Sequence, residues 1–561
     1  MGQPRKTALS ALLRFMTSQG FKQLPTRDGR YSFSGSLPCT GGEATVTLTV
    51  VDWDFVSYPV IQVHELPGGS PELIPHISAW GGFCYLAAGS VVLDRYNPDV
   101  AVQQCLVLAK KELDRLLANP SYRQGEFQSE FGANWSIGQE PLPRQFLLGT
   151  VSPGDSESAS YLLPFKGLAA NLISSATAEP DTIARACGWD APLRGNSSAW
   201  ILRSNEMPKL MPDGLPATIG EMFRWLRTWD VSLYRKVCKV FSSPDYLRYG
   251  EITFLIHSAA GWFGFSMEID RTLAVAFRRK PGQLRQRLHT GRQDTAIRRV
   301  SVNEISPEYI HSRNLTFPSL AGRRVVLIGC GSIGSYLAQA LVRLGAGSGD
   351  GELQLIDHDH LSPGNLGRHV LGIESLYQAK SAALAELLMS QFPHAKIVSS
   401  IRRAKFPNDF YRANLVIDAT GEESLSEAIN YHRLELPEST RPATQHIWVT
   451  GKGECAQALW TDDTRHACYR CMVLNDGKRT PRFDLGLPPA TEVMHGCQTF
   501  TPYAVSAPMM ASALAIDQIS SWLRGTPSPR FRTRIVEGSS ARRLKNQDVE
   551  PLKECPACRT I

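Results

Sequence analysis

The chain runs from four apolar residues, Val325-Val326-Leu327-Ile328, directly into Gly329-Cys330-Gly331-Ser332-Ile333-Gly334, and no other junction in it restricts the fold as much. An apolar run of this kind predicts a buried parallel strand. The glycines let the backbone turn sharply and approach a phosphate, and the helix that follows offers free N–H groups and a positive dipole end. A second strand is predicted at Leu353-Gln354-Leu355-Ile356, ending in Asp357, where a carboxylate can accept hydrogen bonds from a ribose. By itself this pattern fits a dinucleotide oxidoreductase.

The next residues point elsewhere. Asp357-His358-Asp359-His360 continues through Asn365-Leu366-Gly367-Arg368-His369, and Lys380 follows. Hydride transfer has no use for this asparagine, arginine and lysine cluster. Cleavage of ATP at the α-phosphate does, because negative charge builds up there in the transition state. The combination resembles the adenylation domain of ubiquitin-activating enzymes and of the bacterial ThiF and MoeB families, over about residues 310–561. The resemblance implies that Gly329, Gly331 and Gly334 line the phosphates and that Asp357 holds the ribose. It also implies that Asn365, Arg368 and Lys380 contact the triphosphate. Arg313 stands where family members offer an arginine to the partner subunit's site, which implies a homodimer. One position departs from the family. Where a magnesium-binding aspartate is usual, Asp418-Ala419-Thr420-Gly421 has Gly421, so Asp418, Asp359 or Glu422 is left to hold magnesium. A non-catalytic ATP-binding scaffold is the alternative that Gly421 keeps open.

Cysteine spacing adds a metal and a thiol. Cys468 and Cys471 form one C-x-x-C pair, Cys555 and Cys558 another, and four thiolates satisfy a tetrahedral zinc ion. The same placement occurs in the ThiF and MoeB families, where a structural role is implied. Between the pairs lies Cys497, on a loop ahead of a helix predicted at 506–523. A thiol so placed can have its pKa lowered for attack on an acyl-adenylate, and family members carry a thioester-forming cysteine there. Cys455 is the competing choice but reads as a packed strand residue, and Cys330 as a residue small enough for its turn.

The first 300 residues need a separate account. A helix is predicted over residues 7–20, strands at 44–51 and 60–63, and a helix at 98–118 opened by Pro98. Pro75-His76-Ile77 leads through Gly81-Gly82 to Cys84 with the spacing of the H-P-N-I to I-C-L segment of ubiquitin-conjugating enzymes. Asn97-Pro98 and Asn119-Pro120 continue that likeness over about residues 5–135. It implies that Cys84 is a catalytic thiol and that His76 replaces the asparagine that stabilises an oxyanion. Cys105, on the apolar face of the next helix, reads as core.

Composition excludes several classes. Among 561 residues no apolar run reaches the roughly 20 needed to span a bilayer. The N-terminus shows no signal-peptide apolar segment, and we expect a cytoplasmic protein. Twelve cysteines then argue for metal or thiol chemistry rather than disulfides. The net charge of +7 is mild, and part of the excess sits in residues 278–299, read as a solvated connecting segment. No aromatics interleave it, so neither nucleic acid nor a membrane is an expected partner.

Together these readings predict a multidomain α/β and α+β chain. A ubiquitin-conjugating-like α+β domain occupies 1–145, a linker domain 146–305, and a Rossmann-like adenylation domain 306–561. The combination resembles the fused activating and conjugating enzymes of bacterial CBASS antiphage operons. That likeness implies adenylation of a protein C-terminus, thioesters on Cys497 and then Cys84, and transfer to a target lysine or small amine. It also implies a cGAS-like nucleotidyltransferase as substrate. An activator of a ubiquitin-like modifier or sulfur carrier is the alternative.

Overall fold

The computed structural model describes residues 3–25, 30–78, 80–87, 89–135, 145–165, 168–211, 214–406, 409–487, 493–495 and 498–559. The chain divides into two compact units: Met1–Pro180 with Leu193–Glu304, and Asp181–Pro192 with Ile305–Ile561. No described helix is long and apolar enough to cross a membrane.

The first unit opens on the helix Gln3–Ser18 and a five-stranded antiparallel sheet. Its central strand Gly42–Val50 buries Ala44, Val46, Leu48 and Val50 on one face, the alternation a half-covered sheet requires. The helix Pro98–Ala118 covers that face with Ala101, Val102, Cys105, Ala109, Leu113 and Leu116. Pro98 starts it because its missing N–H is one a first helical turn cannot use. Cys105 is fully buried, as the sequence led us to expect.

Seven strands of the same unit, from Gln145–Leu148 to Arg298–Glu304, form a closed barrel. Its order is not sequential: Gln145–Leu148 lies between Arg298–Glu304 and Leu168–Ser174, parallel to both. Against its outside packs an aromatic cluster in which Phe127, Phe131 and Trp135 meet Trp225 and Phe263. The basic run at 278–299 is corrected here. Its middle is the helix Pro281–Thr290, which buries Leu284 and Leu288, and its end enters the barrel strand Arg298–Glu304. Arg299 is buried and donates to the carbonyls of Trp135 and Pro216. The charges are the outer face of a helix plus one buried pin.

The second unit carries a seven-stranded sheet in the order Ile397–Ser400, Glu352–Ile356, Arg324–Ile328, Leu415–Asp418, Ala443–Thr450, Cys455–Thr461 and Phe531–Ile535. The first five strands are parallel, and the last two continue antiparallel. The chain leaves Arg324–Ile328 toward one edge and later returns to its other side. A crevice therefore opens at the carboxyl ends of Arg324–Ile328 and Leu415–Asp418, where ligands bind in such sheets. The helices Ser332–Arg343 and Ser506–Leu523 seal one face with a core that includes Leu337, Leu341, Leu514 and Ile519.

Candidate functional site: a nucleotide cavity, a four-cysteine centre and an exposed thiol

A cavity of about 940 Å³ opens at that crevice, enough for a nucleoside triphosphate. Gly329 and Gly331 form its floor, and Asp357, Asp359, Asn365, Arg368 and Lys380 line its wall. These residues, brought together from between Gly329 and Lys380, are the cluster expected from the motifs. Gly329 has φ +90, and a Cβ there would come within 3.0 Å of the Thr420 backbone nitrogen. Asp357 locks the turn by accepting from the N–H groups of Cys330 (2.7 Å) and Asp359 (2.8 Å). Cys330 itself is fully buried, so it fills the turn and does no thiol chemistry.

Gly334 is corrected. It does not line the cavity but lies beneath it, where a Cβ would stand 1.8 Å from the Gly329 carbonyl oxygen. Its job is close packing of helix on strand. Gly334→Ala is expected to push the helix off the turn at a cost of about 1–3 kcal/mol. Calorimetric titration with ATP should show at least a tenfold weaker complex, and unchanged affinity would remove this role.

Asp418 is corrected as well. It is buried beneath the cavity wall, and four donors converge on it: Thr420 N–H (3.1 Å), Thr420 Oγ1 (2.7 Å), Ser426 Oγ and His446 Nδ1 (2.9 Å). A carboxylate offers about four lone-pair sites, so none is left for magnesium. Burial raises its pKa, but donation from His446 and the two hydroxyls outweighs this and holds the group ionised below the ordinary range. His446 also faces Tyr469, ring centroids 4.5 Å apart, which ties the cavity wall to the first C-x-x-C pair.

Lys380 is buried at the start of the helix Lys380–Gln391, with its Nζ 3.1 Å from Asp359 Oδ2 at the cavity surface. Arg368 stacks over Tyr503, 4.9 Å from the ring centroid, and Tyr503 in turn shares a hydrogen bond with Ser332 (2.8 Å). Two further cations, Arg402 and Arg403, line the cavity just past the strand Ile397–Ser400. Sequence reasoning missed them; their only signal was a place after a parallel strand's carboxyl end. His369 was also missed. It donates from Nε2 to the Cys330 carbonyl (2.7 Å) and accepts at Nδ1 from Leu371 N–H, and burial lowers its pKa and keeps it neutral. Asp359 and Glu422 are exposed carboxylates on the cavity rim. Arg313 is exposed and lies over Tyr309, outside the cavity lining of its own chain.

Cys468, Cys471, Cys555 and Cys558 converge so that their sulfurs all lie within 4.8 Å of one another. Three separations are 3.8, 3.8 and 3.6 Å. Tetrahedral zinc with bonds near 2.3 Å would set sulfur edges of about 3.8 Å, so the donor set fits. The N–H of Leu552 donates to Cys471 (3.4 Å). Mutual hydrogen bonding among the four sulfurs lowers the pKa of Cys471 and Cys555 and raises that of Cys468 and Cys558. A bound cation removes that split.

Cys497 lies outside the described residues. Cys455 is fully buried on its strand, its thiol pushed up to about 11 by burial, as suits the packing role read from sequence.

Cys84, in the first unit, is exposed, and its N–H donates to the His76 carbonyl (2.8 Å). Partial burial, then the charge of Glu130, raises the thiol above its ordinary range. His76 has a left-handed backbone, φ +68, which a non-glycine residue adopts only under constraint. Its ring is corrected from oxyanion donor to a braced group: Nε2 is 3.1 Å from Glu126 and Nδ1 3.0 Å from Glu130. Both nitrogens already face carboxylates.

Residues 316–558 match the ThiF family. Over nearly the whole chain the sequence is similar to the ATP-dependent ubiquitin transferase-like protein Cap2 of Pseudomonas aeruginosa, 28% identical across 98% of this chain and 99% of that one. The protein of that name from Escherichia coli is 24% identical across 98% of each chain. The one from Vibrio cholerae is 28% identical across 61% of each.

Proposed function

We propose, on the premise that this chain is an ATP-dependent ubiquitin transferase-like enzyme built on a ThiF-family domain, that it activates a protein's C-terminal carboxylate and conjugates it to an amine. The observation that carries this reading is the pairing, on one chain, of a cation-lined nucleotide cavity with an exposed thiol at Cys84. The carboxylate attacks the α-phosphorus of ATP and pyrophosphate leaves. Arg368, Lys380, Arg402 and Arg403 offset the charge that accumulates on the phosphates. The acyl group then passes to Cys497, next to Cys84, and last to a lysine or small amine.

Asp357 would hold the ribose. Magnesium, which neutralises phosphate charge when bound, would be held from Asp359 and Glu422, since Asp418 is spent on its neighbours. Zinc would sit among Cys468, Cys471, Cys555 and Cys558 as a structural staple. Arg313, exposed and outside its own cavity, suits a homodimer in which it reaches the partner's nucleotide. The substrate we propose is a cGAS-like nucleotidyltransferase in bacterial antiphage defence, and the compartment the cytoplasm. This rests on likeness to the CBASS fused enzymes.

A non-reducing gel tests the relay. Enzyme, ATP, magnesium and a cGAS-like nucleotidyltransferase should yield thiol-sensitive adducts, with Cys497→Ala abolishing all of them and Cys84→Ala only the second. Adducts unchanged in both variants would refute the assignments. Conjugation that survives Cys84→Ala would favour a sulfur-carrier activator.

A further inference from the structure

Three segments far apart in sequence close on Tyr503 at the edge of the nucleotide cavity. Arg368 ends the short 3₁₀ helix Pro363–Arg368 and lays its guanidinium over the Tyr503 ring, 4.9 Å from the centroid. Ser332, the first residue of the helix after the glycine turn, shares a 2.8 Å hydrogen bond with the Tyr503 hydroxyl. The third segment is the turn at Gly453, between the strands Ala443–Thr450 and Cys455–Thr461. Gly453 has φ +85, and a Cβ there would stand 2.8 Å from the Tyr503 Cβ, so the turn leaves room for this side chain. Ser332, Arg368 and Tyr503 all line the cavity.

This arrangement suits a cation that must point at phosphates. A guanidinium stacked on a ring gives its face to the ring and keeps its in-plane N–H fork for oxygen acceptors. A carboxylate partner would compete for that fork. An unsupported arginine also has rotamer freedom to lose, and the ring removes part of that cost before ATP arrives. The bond to Ser332 then fixes the ring against the first turn after the glycine-rich loop.

We propose that Tyr503 is a positioning residue for the adenylation step. It holds the Arg368 guanidinium where negative charge gathers on the α-phosphate and the departing pyrophosphate. The proposal rests on the reading of the cavity as an adenylation site, and adds a residue that reaches the reacting atoms only through Arg368. No bond forms or breaks at Tyr503. Its effect belongs to the transition state: Lys380, Arg402 and Arg403 also line the cavity and can hold ground-state ATP, while the added charge needs Arg368 in one place.

Exchange of labelled pyrophosphate into ATP, with magnesium and a cGAS-like nucleotidyltransferase, gives the maximal rate, and calorimetry gives ATP affinity. Tyr503→Leu should lower the maximal exchange rate by about tenfold or more, the cost of a misplaced group at the reacting centre. ATP affinity should change by less than about threefold, as for an interaction made chiefly in the transition state. Tyr503→Phe, which keeps the ring and loses only the bond to Ser332, should recover most of the rate. Tyr503→Met, which fills more of the space without a π face, repeats the comparison where the leucine variant does not fold. On an Arg368→Ala background, Tyr503→Leu should cost less than about twofold more, since the group it acts through is gone. A full further loss on that background would overturn the proposal. So would equal falls in rate and affinity, or a leucine or methionine variant as active as the phenylalanine one. Wild-type enzyme that binds ATP and substrate yet never exchanges pyrophosphate would overturn the adenylation reading as well, so the two failures are distinguishable.

Discussion

With zinc held by the four thiols as proposed, Cys555→Ser is expected to remove about one zinc ion per chain and lower the melting temperature of the second unit by on the order of 20 °C. Structural zinc sites contribute about 10 kcal/mol or more, and a domain near 250 residues loses about 2 °C per kcal/mol. The size of the effect follows from where the four thiols sit. They belong to a buried cluster with Leu434, Leu459, Met472 and Phe531, so losing the staple frees the chain's last segment from the sheet edge. Tyr469, between the first two cysteines, would then withdraw from His446, and the wall behind Thr420 and Gly421 would loosen. ATP affinity should fall together with stability. Metal analysis and differential scanning calorimetry check this, and an unchanged melting temperature in a metal-free variant would contradict it.

Lys380→Ala is expected to reduce ATP–pyrophosphate exchange by about 10²- to 10³-fold, the cost of removing one preorganised charge from a transition state. Binding of ATP should weaken far less, because Arg368, Arg402 and Arg403 also line the cavity. Lys380 is buried and pairs with Asp359, so the variant also frees that carboxylate. The double change Asp359→Asn with Lys380→Ala separates the two effects. Exchange should stay low in the double variant if the lysine's charge is what matters. Recovery would move the role to Asp359.

Much of the site could be read from the sequence, for definite reasons. The strand into Gly329–Gly334 is written in adjacent residues, because a close phosphate approach admits no side chain at Gly329. The C-x-x-C pairs are equally local, and the fold brings their sulfurs to separations of 3.6–3.8 Å. The helices Pro98–Ala118 and Ser506–Leu523 fall where periodicity and capping put them. The barrel was hidden because its neighbouring strands are distant in sequence and buried serines interrupt its apolar lining. The strand Ser156–Phe165 buries Ser158 and Ser160, and Arg299 is buried on the barrel's outer side, pinned to the carbonyls of Trp135 and Pro216. No local rule marks those positions. Asp418 misled for a related reason: a carboxylate ending a strand beside a nucleotide motif looks like a metal ligand, and only the fold reveals the four donors around it. His76 was recognisable as special but not as clamped, since Glu126 and Glu130 lie 50 and 54 positions away.

The central claim is that the cavity at Gly329–Gly331 uses ATP to make a carboxyl group electrophilic. Exchange of labelled pyrophosphate into ATP, with magnesium and the C-terminal protein substrate, measures that step without requiring any later transfer. The account predicts substrate-dependent exchange that persists in Cys84→Ala and collapses in Lys380→Ala. Tight ATP binding with no exchange, under conditions where the substrate also binds, would contradict it.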